Sequence, residues 1–301
     1  MSRTMRGFGA LALMLAATAA DAQRVPDVVA LVRDGRLGEI SGMAASPQTT
    51  GRFWVHNDSG SPADAFAIDT TGRVQAQLRV TGVKPVDWED MAAFALDGRS
   101  WLLLADTGDN GGVRKRVELV VVEEPVIAAD AHELSLKTAP AWRIAFRYAD
   151  EPHDVEAVGI DVPGETVLLL TKRTTPLQIW SLPLRPGKDA ETIATPVGTL
   201  QPADELLPTV DFERRLMPGR PTALSISRDA RRAAVLTYNS VWIYDRAAGE
   251  SWAHAFARRP RAFPIALLAQ AEAIAFGADN DTVYVTGERW PVPLLKFDVR
   301  P

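Results

Sequence analysis

The chain has 301 residues, a formal net charge of −5 and no cysteine. That length allows one large β domain or two smaller ones, with enough buried surface to fold without disulfide staples, and with no cysteine no lipoprotein anchor is expected. The mildly acidic balance, with no long basic stripe, argues against nucleic acid or an anionic membrane surface as partner.

At the start, Arg3 and Arg6 precede an apolar run from Gly7 to Ala20, and Ala20-Asp21-Ala22 stands before Gln23. A short basic start, an apolar run too short for a span of about 20 residues and an A-x-A signature predict a secretory signal peptide over 1–22. Cleavage near Ala22-Gln23 would leave 23–301 as a single exported domain, periplasmic or secreted, monomeric and without a membrane span. Eight tryptophans and 21 prolines, with few helical patterns, point to many strands and turns.

Five acid-led or polar-led apolar segments then recur along the chain: Glu39-ISGMA, Glu89-DMAAF, Glu156-AVGID, Thr222-ALSIS and Glu272-AIAFG. Their starts are spaced by 50, 67, 66 and 50 residues. Each is followed by a turn signal and a second apolar segment: FWVHND, WLLLADTGDN, TVLLLTKR, AAVLTYN and TVYVTGE. A third segment comes next: AFAID, ELVVVEE, LQIWSL, VWIYD and LLKFD. Four units offer a fourth strand: VQAQLRV, AWRIAF, TIATPVGTL and SWAHAF. Four short strands repeated five times predict an all-β fold, a β-propeller of five four-stranded blades. The fifth unit has no fourth strand of its own. The segment DVVALVR over 27–33 is free to supply it and close the ring, which removes an exposed sheet edge. Insertions fall near 126–140 and 201–220, and six blades is the alternative if one of them hides a degenerate blade.

Within a unit the first two strands are antiparallel, so the start of the first lies beside the end of the second. Glu39, Asp87, Glu89, Asp90, Asp154, Glu156 and Glu272 occupy the starts. His56, Asn57, Asp58, Asp106, Asp109, Asn110, Lys172, Arg173, Asn239 and Glu288 occupy the ends. All are expected on one face, with the glutamates near the axis. Converging carboxylates repel one another, and a hard cation with oxygen ligands relieves that. With no cysteine and four scattered histidines, calcium is expected over zinc or copper. The metal set is Glu39, Glu89, Asp90, Asp109, Glu156 and Glu272. His56, Asp58 and Asp106 are the candidate catalytic residues, with His56 the base whose ordinary pKa is near neutrality. Lys172, Arg173 and Asn57 are the candidate contacts for an anionic substrate group. DTGDNG over 106–111 reads either as a ligand loop or as a turn whose acids cap their own backbone. Glycine at its third position and Val117 at its twelfth exclude an EF-hand.

The phrases ISGMAASP, FWVHNDSG, DWEDMA, LLADTGDN, HDVEAVGID, LLLTKR, ALSISRDARRAAVLTY and QAEAIAF cover residues 39–288 in order. In these the chain resembles a widespread set of exported bacterial propeller proteins. More distantly it is similar to calcium-dependent propeller hydrolases: phytase-like phosphatases, and lactonase and esterase propellers of the paraoxonase and gluconolactonase type. That resemblance implies acids near the axis holding calcium, which polarises a phosphate or an ester carbonyl. Glu39, Asp90, Glu156 and Glu272 are the positions that would match such a ring. Unit four departs from it by starting with Thr222, and phytase-type phosphate motifs are not recognisable.

Two functions remain open on these residues. One is a calcium-dependent hydrolase of phosphoesters, lactones or aryl esters. The other is a non-catalytic propeller with structural calcium that binds a small anionic molecule or a protein ligand. A fold of this kind serves both.

Overall fold

The computed structural model describes residues 26–187, 191–203, 219–265 and 268–301. The segment expected to be a leader, 1–22, and most of the insertion near 201–220 lie outside the described residues. The chain is all-β with almost no helix. No described helix is long and apolar enough to cross a membrane.

Unit one contains β2 (Ile40–Ala45), β3 (Arg52–Asn57), β4 (Asp64–Asp69) and β5 (Val74–Val80). Unit two contains β6 (Trp88–Leu96), β7 (Arg99–Asp106), β8 (Val117–Glu123) and β10 (Trp142–Tyr148). Unit three has β11 (Val155–Asp161), β12 (Thr166–Thr171), β13 (Gln178–Pro183) and β14 (Thr192–Thr199). Unit four has β15 (Pro221–Ile226), β16 (Arg232–Thr237), β17 (Ser240–Asp245) and β18 (Arg261–Pro264). Unit five is β19 (Ala271–Phe276), β20 (Thr282–Gly287) and β21 (Val292–Asp298), with β1 (Asp27–Val32) antiparallel on the edge of β21. The hairpins follow from local chemistry. Between β6 and β7, Asp97 and Gly98 both take positive φ, which suits the two-residue turn that matches strand twist.

Alternate residues of each strand face opposite sides, and here both sides are apolar. In β7, Leu102 and Leu104 pack toward unit one, with Trp54, Ala65 and Met91. Leu103 and Ala105 pack toward unit three, with Val155, Val158 and Leu169. Further apolar cores fill the spaces between units three and four, four and five, and five and one. Contacts between the first strands run β2–β6–β11–β15–β19 and back to β2, a closed cycle.

Three features depart from the sequence reading. SWAHAF is not a strand: Trp252–Phe256 is a helix, α1, and the fourth strand of its sheet is β18. Ser251 Oγ caps it by accepting the N–H of His254, and Trp252, Ala255 and Phe256 are buried at helical spacing. The insertion near 126–140 contributes β9 (Leu134–Thr138), which pairs parallel with the outer edge of β5. Finally, β10 and β14 pair in parallel, so units two and three share one eight-stranded sheet. Both parallel pairings cover an outer edge that would otherwise expose unpaired N–H and C=O groups.

Candidate metal centre

Every first strand carries a register shift near its start. The shifts fall between Ile40 and Gly42, Trp88 and Met91, Val155 and Ala157, Pro221 and Ala223, and Ala271 and Ala273. A bulge leaves its residue out of the pairing and re-aims its side chain. The residues passed over are Ser41, Glu89 with Asp90, Glu156, Thr222 and Glu272. In three units, therefore, a glutamate sits at the bulge. In the other two a hydroxyl sits there, and each ties itself to the next unit. Ser41 Oγ donates to the Glu89 carbonyl at 2.6 Å, and Thr222 Oγ1 to the Ala271 carbonyl at 2.8 Å.

Glu39 is not the partner of those glutamates. It lies two residues before the bulge, like Asp87 and Asp154, and is exposed, bridging to Glu288 at strand level. The same backbone bond recurs at this level. The N–H groups of Asp58, Gly108, Lys172 and Glu288 reach the carbonyls of Glu39, Asp87, Asp154 and Gln270. This brings the ends of the second strands against the acids of the first.

Glu89 is the centre of the arrangement. Its carboxylate forms one group with Asp58 and Asp87 and a second with Asp154 and Glu156. In each group the oxygens lie within 4.8 Å of one another. Glu89 is 7% exposed, and its carboxylate accepts no hydrogen bond from any described residue. Gly108 makes the room. A Cβ there would overlap Glu89 Oε1 and lie 2.5 Å from Asp87 Oδ2.

The electrostatics follow from burial and like charge. Burial, with Glu156, Asp87 and Asp58 adding repulsion, holds the Glu89 carboxyl well above its ordinary value. Burial raises Asp87 too, with Asp58 as the next cause. Glu272, buried and also without a donor among the described residues, is held well above its ordinary value, against the pull of Lys172. Burial pushes Glu156 up to about 7, although Lys172 Nζ donates to its Oε2. Burial alone would lower Lys172, but Glu156 and Glu272 outweigh it and raise the ammonium; the ammonium also lies 5.0 Å over the Tyr238 ring.

The remaining sequence candidates divide. Lys172 is at the acids, bonded to Glu156. Arg173 Nε donates to Asp154 Oδ2 at 2.5 Å, and its Nη2 to Asn110 Oδ1. Asp90 turns away from them. Its Oδ2 accepts the N–H of Val158 at 2.8 Å and of Leu224 at 2.9 Å, and Oδ1 accepts that of Met91. Asp90 therefore ties units two, three and four together. Asp106 accepts the N–H groups of Val86 and Asp87 and pairs with Arg114 at 2.7 Å. Asp109 accepts the N–H groups of Val113 and Arg114, the self-capped turn of the two readings of DTGDNG. Asn57 bridges the Glu39 N–H and the Arg36 carbonyl. His56 is fully buried, edge-on to Trp88. Its Nδ1 lies 2.9 Å from the Asn57 carbonyl, which can only accept, and burial lowers its pKa. His153 is enclosed by Tyr148 and Trp180. Asp87, Asp154 and Gly108 are the residues whose roles the sequence reading left unassigned. The signal was an acid two residues before the glutamate, in Asp87-x-Glu89 and Asp154-x-Glu156: the i, i+2 spacing that shares a face of a strand.

All five clustered donors are carboxylates, which suits a hard cation such as calcium or magnesium and not zinc or copper. They face two cationic side chains, Lys172 and Arg173, so a divalent ion fits the charge that remains. No protein-family model matches the chain, and no curated protein matches it. Among solved structures, a gluconolactonase from Xanthomonas campestris is similar at a TM-score of 0.44 and 12% identity, over 85% of this chain and 71% of that one.

Proposed function

We propose that the ring of first strands is the axis of a single-domain, five-bladed β-propeller, exported after loss of its leader, that binds calcium at the acid-lined mouth and hydrolyses oxygen esters there. The observation that carries this reading is Glu89: a buried carboxylate with no donor among the described residues, shared between two groups of acids. Burial and the neighbouring acids disfavour its charged form, and a bound cation would relieve that repulsion. Glu89, Asp58, Asp87, Asp154 and Glu156 would hold the ion. When bound, calcium would supply Lewis-acid polarisation of a carbonyl or phosphoryl oxygen.

The chain's own groups would do the rest. Lys172 keeps its ammonium charge beside Glu156 and would attract an anionic or polarised oxygen of the substrate. Arg173, half-exposed at the rim, would steer a negative group inward. Asp58, half-buried like Asp87 in the group they form with Glu89, would take a proton from an attacking water. His56 and Asp106 do not serve that step, since each is enclosed or engaged by the backbone. The same observation favours a second reading, in which calcium is structural and the face binds an anionic ligand without turnover.

The test is calcium titration of the chelator-treated protein, followed by chromogenic lactones, aryl esters and phosphoesters with and without calcium. Saturable binding lost in Glu89→Gln is expected, with calcium-dependent turnover of at least one ester class. Calcium binding without turnover would leave the second reading; no calcium binding would end both.

A further inference from the structure

At the end of the ring opposite the acids, the first strands close around a cavity of about 220 Å³. Its walls include Met43 of β2, Phe94 of β6, Ile160 of β11, Leu224 of β15 and Phe276 of β19. Every first strand contributes an apolar side chain, so the cavity is axial and not a gap between two sheets. The wall hydroxyls are committed elsewhere. Ser225 Oγ accepts the Phe276 N–H at 3.0 Å, and Ser227 Oγ donates to Asp229 Oδ1 at 2.6 Å. The polar group left at the rim is Arg228. It is exposed, its Nη2 donates to the Ser46 carbonyl at 2.6 Å, and it forms no ion pair among the described residues.

We propose that this cavity binds a small monocarboxylate, with its apolar body along the axis and its carboxylate on Arg228. An apolar cavity of about 150 Å³ holds a benzene ring, so this one accepts a body of roughly six to eight carbons. The guanidinium fork matches a carboxylate through two parallel N–H bonds, which an alcohol cannot reproduce. None of the mouth acids lines the cavity, so the inference stands apart from the cation reading.

The experiment is titration calorimetry of the full chain with octanoate, and with octan-1-ol as the uncharged control. Octanoate is expected to bind saturably, and octan-1-ol at least tenfold more weakly. Arg228→Gln should reduce octanoate to the level of the alcohol. Ala95→Trp, at an exposed position on the rim, should abolish both by filling the opening. Both side chains are exposed, so neither variant disturbs the core. Absence of saturable octanoate binding overturns the proposal. So does an alcohol less than tenfold weaker, or octanoate binding that survives either substitution unchanged.

Discussion

Gly108→Ala would separate the proposed calcium site from the fold. The added Cβ would overlap Glu89 Oε1 and crowd Asp87 Oδ2, the tips of two flexible side chains. Gly108 is not among the positive-φ glycines, so the backbone accepts alanine without strain. The metal-free fold should therefore change by less than about 1 kcal/mol, since carboxylate tips swing aside and alanine loses less chain entropy on folding. Calcium affinity should suffer, because two ligands are displaced together. Misplacing the groups that orient ligands typically costs 10–100-fold in affinity, or about 1.4–2.7 kcal/mol. At calcium 100-fold above the wild-type Kd, bound ion stabilises the fold by about 2.7 kcal/mol. In a domain of this size that is a Tm rise of about 5–10 °C. A 100-fold weaker site at the same calcium would retain about 0.4 kcal/mol, or about 1 °C. The assay is paired thermal melts, with and without calcium, of the wild type and variant. A calcium-induced shift equal to wild type would refute the geometry. A metal-free Tm that falls as far as the calcium-bound one would show Gly108 to be only structural.

Three further outcomes follow from the same site. Asp90→Ala leaves the buried N–H groups of Val158 and Leu224 unpaired and should lower urea-measured stability by about 2–5 kcal/mol, while calcium Kd moves little; a loss below about 1 kcal/mol would contradict the role of Asp90 as a tie between units. Lys172→Met removes the cation beside Glu156, so it should destabilise the metal-free fold by about 3–5 kcal/mol yet tighten calcium several-fold; weaker calcium binding would show that Lys172 supports the site rather than competes in it. The pH dependence has a defined sign. Glu89, Glu272, Asp90, Glu156, Asp87 and Glu288 have raised carboxyls, so the metal-free folded state keeps protons that the unfolded chain has released, and these six outnumber buried His56, whose lowered pKa acts in the opposite direction. Stability is then highest near the ordinary carboxylate range and declines as pH rises toward the raised folded values, so the metal-free Tm should be higher at about pH 5 than at about pH 8. Calcium should narrow that gap, and a metal-free Tm that rises with pH would overturn the account.

Much of the architecture was legible because its signals are local. Apolar segments broken by turn residues mark strands, and their recurrence with a polar leader marks the units. The edge position of β1 was readable from a missing strand at one end and a spare one at the other. SWAHAF was misread because six residues with four apolar ones fit either period, and the deciding contact is a cap between Ser251 and His254. The acids were legible as a set but not as individuals. In VDWEDM, Glu89 and Asp90 are adjacent and chemically similar, yet one faces the axis and the other is locked to the strands of two further units.

The composition of the site, oxygen donors without cysteine and with lysine and arginine near, was set by the sequence alone, because residue chemistry travels with the chain. So was the side of the ring on which those residues gather, because antiparallel pairing puts strand starts beside strand ends. Which acids converge was decided only in three dimensions. A bulge shifts each first strand by one residue, and a one-residue shift exchanges the faces of a strand. Counted from the bulge, Glu39 aligns with Asp87 and Asp154, and it is Ser41 that stands at the level of Glu89 and Glu156. The space that lets Glu89 and Asp87 approach comes from a side chain that is missing, at Gly108, and only the folded neighbours give that absence a shape.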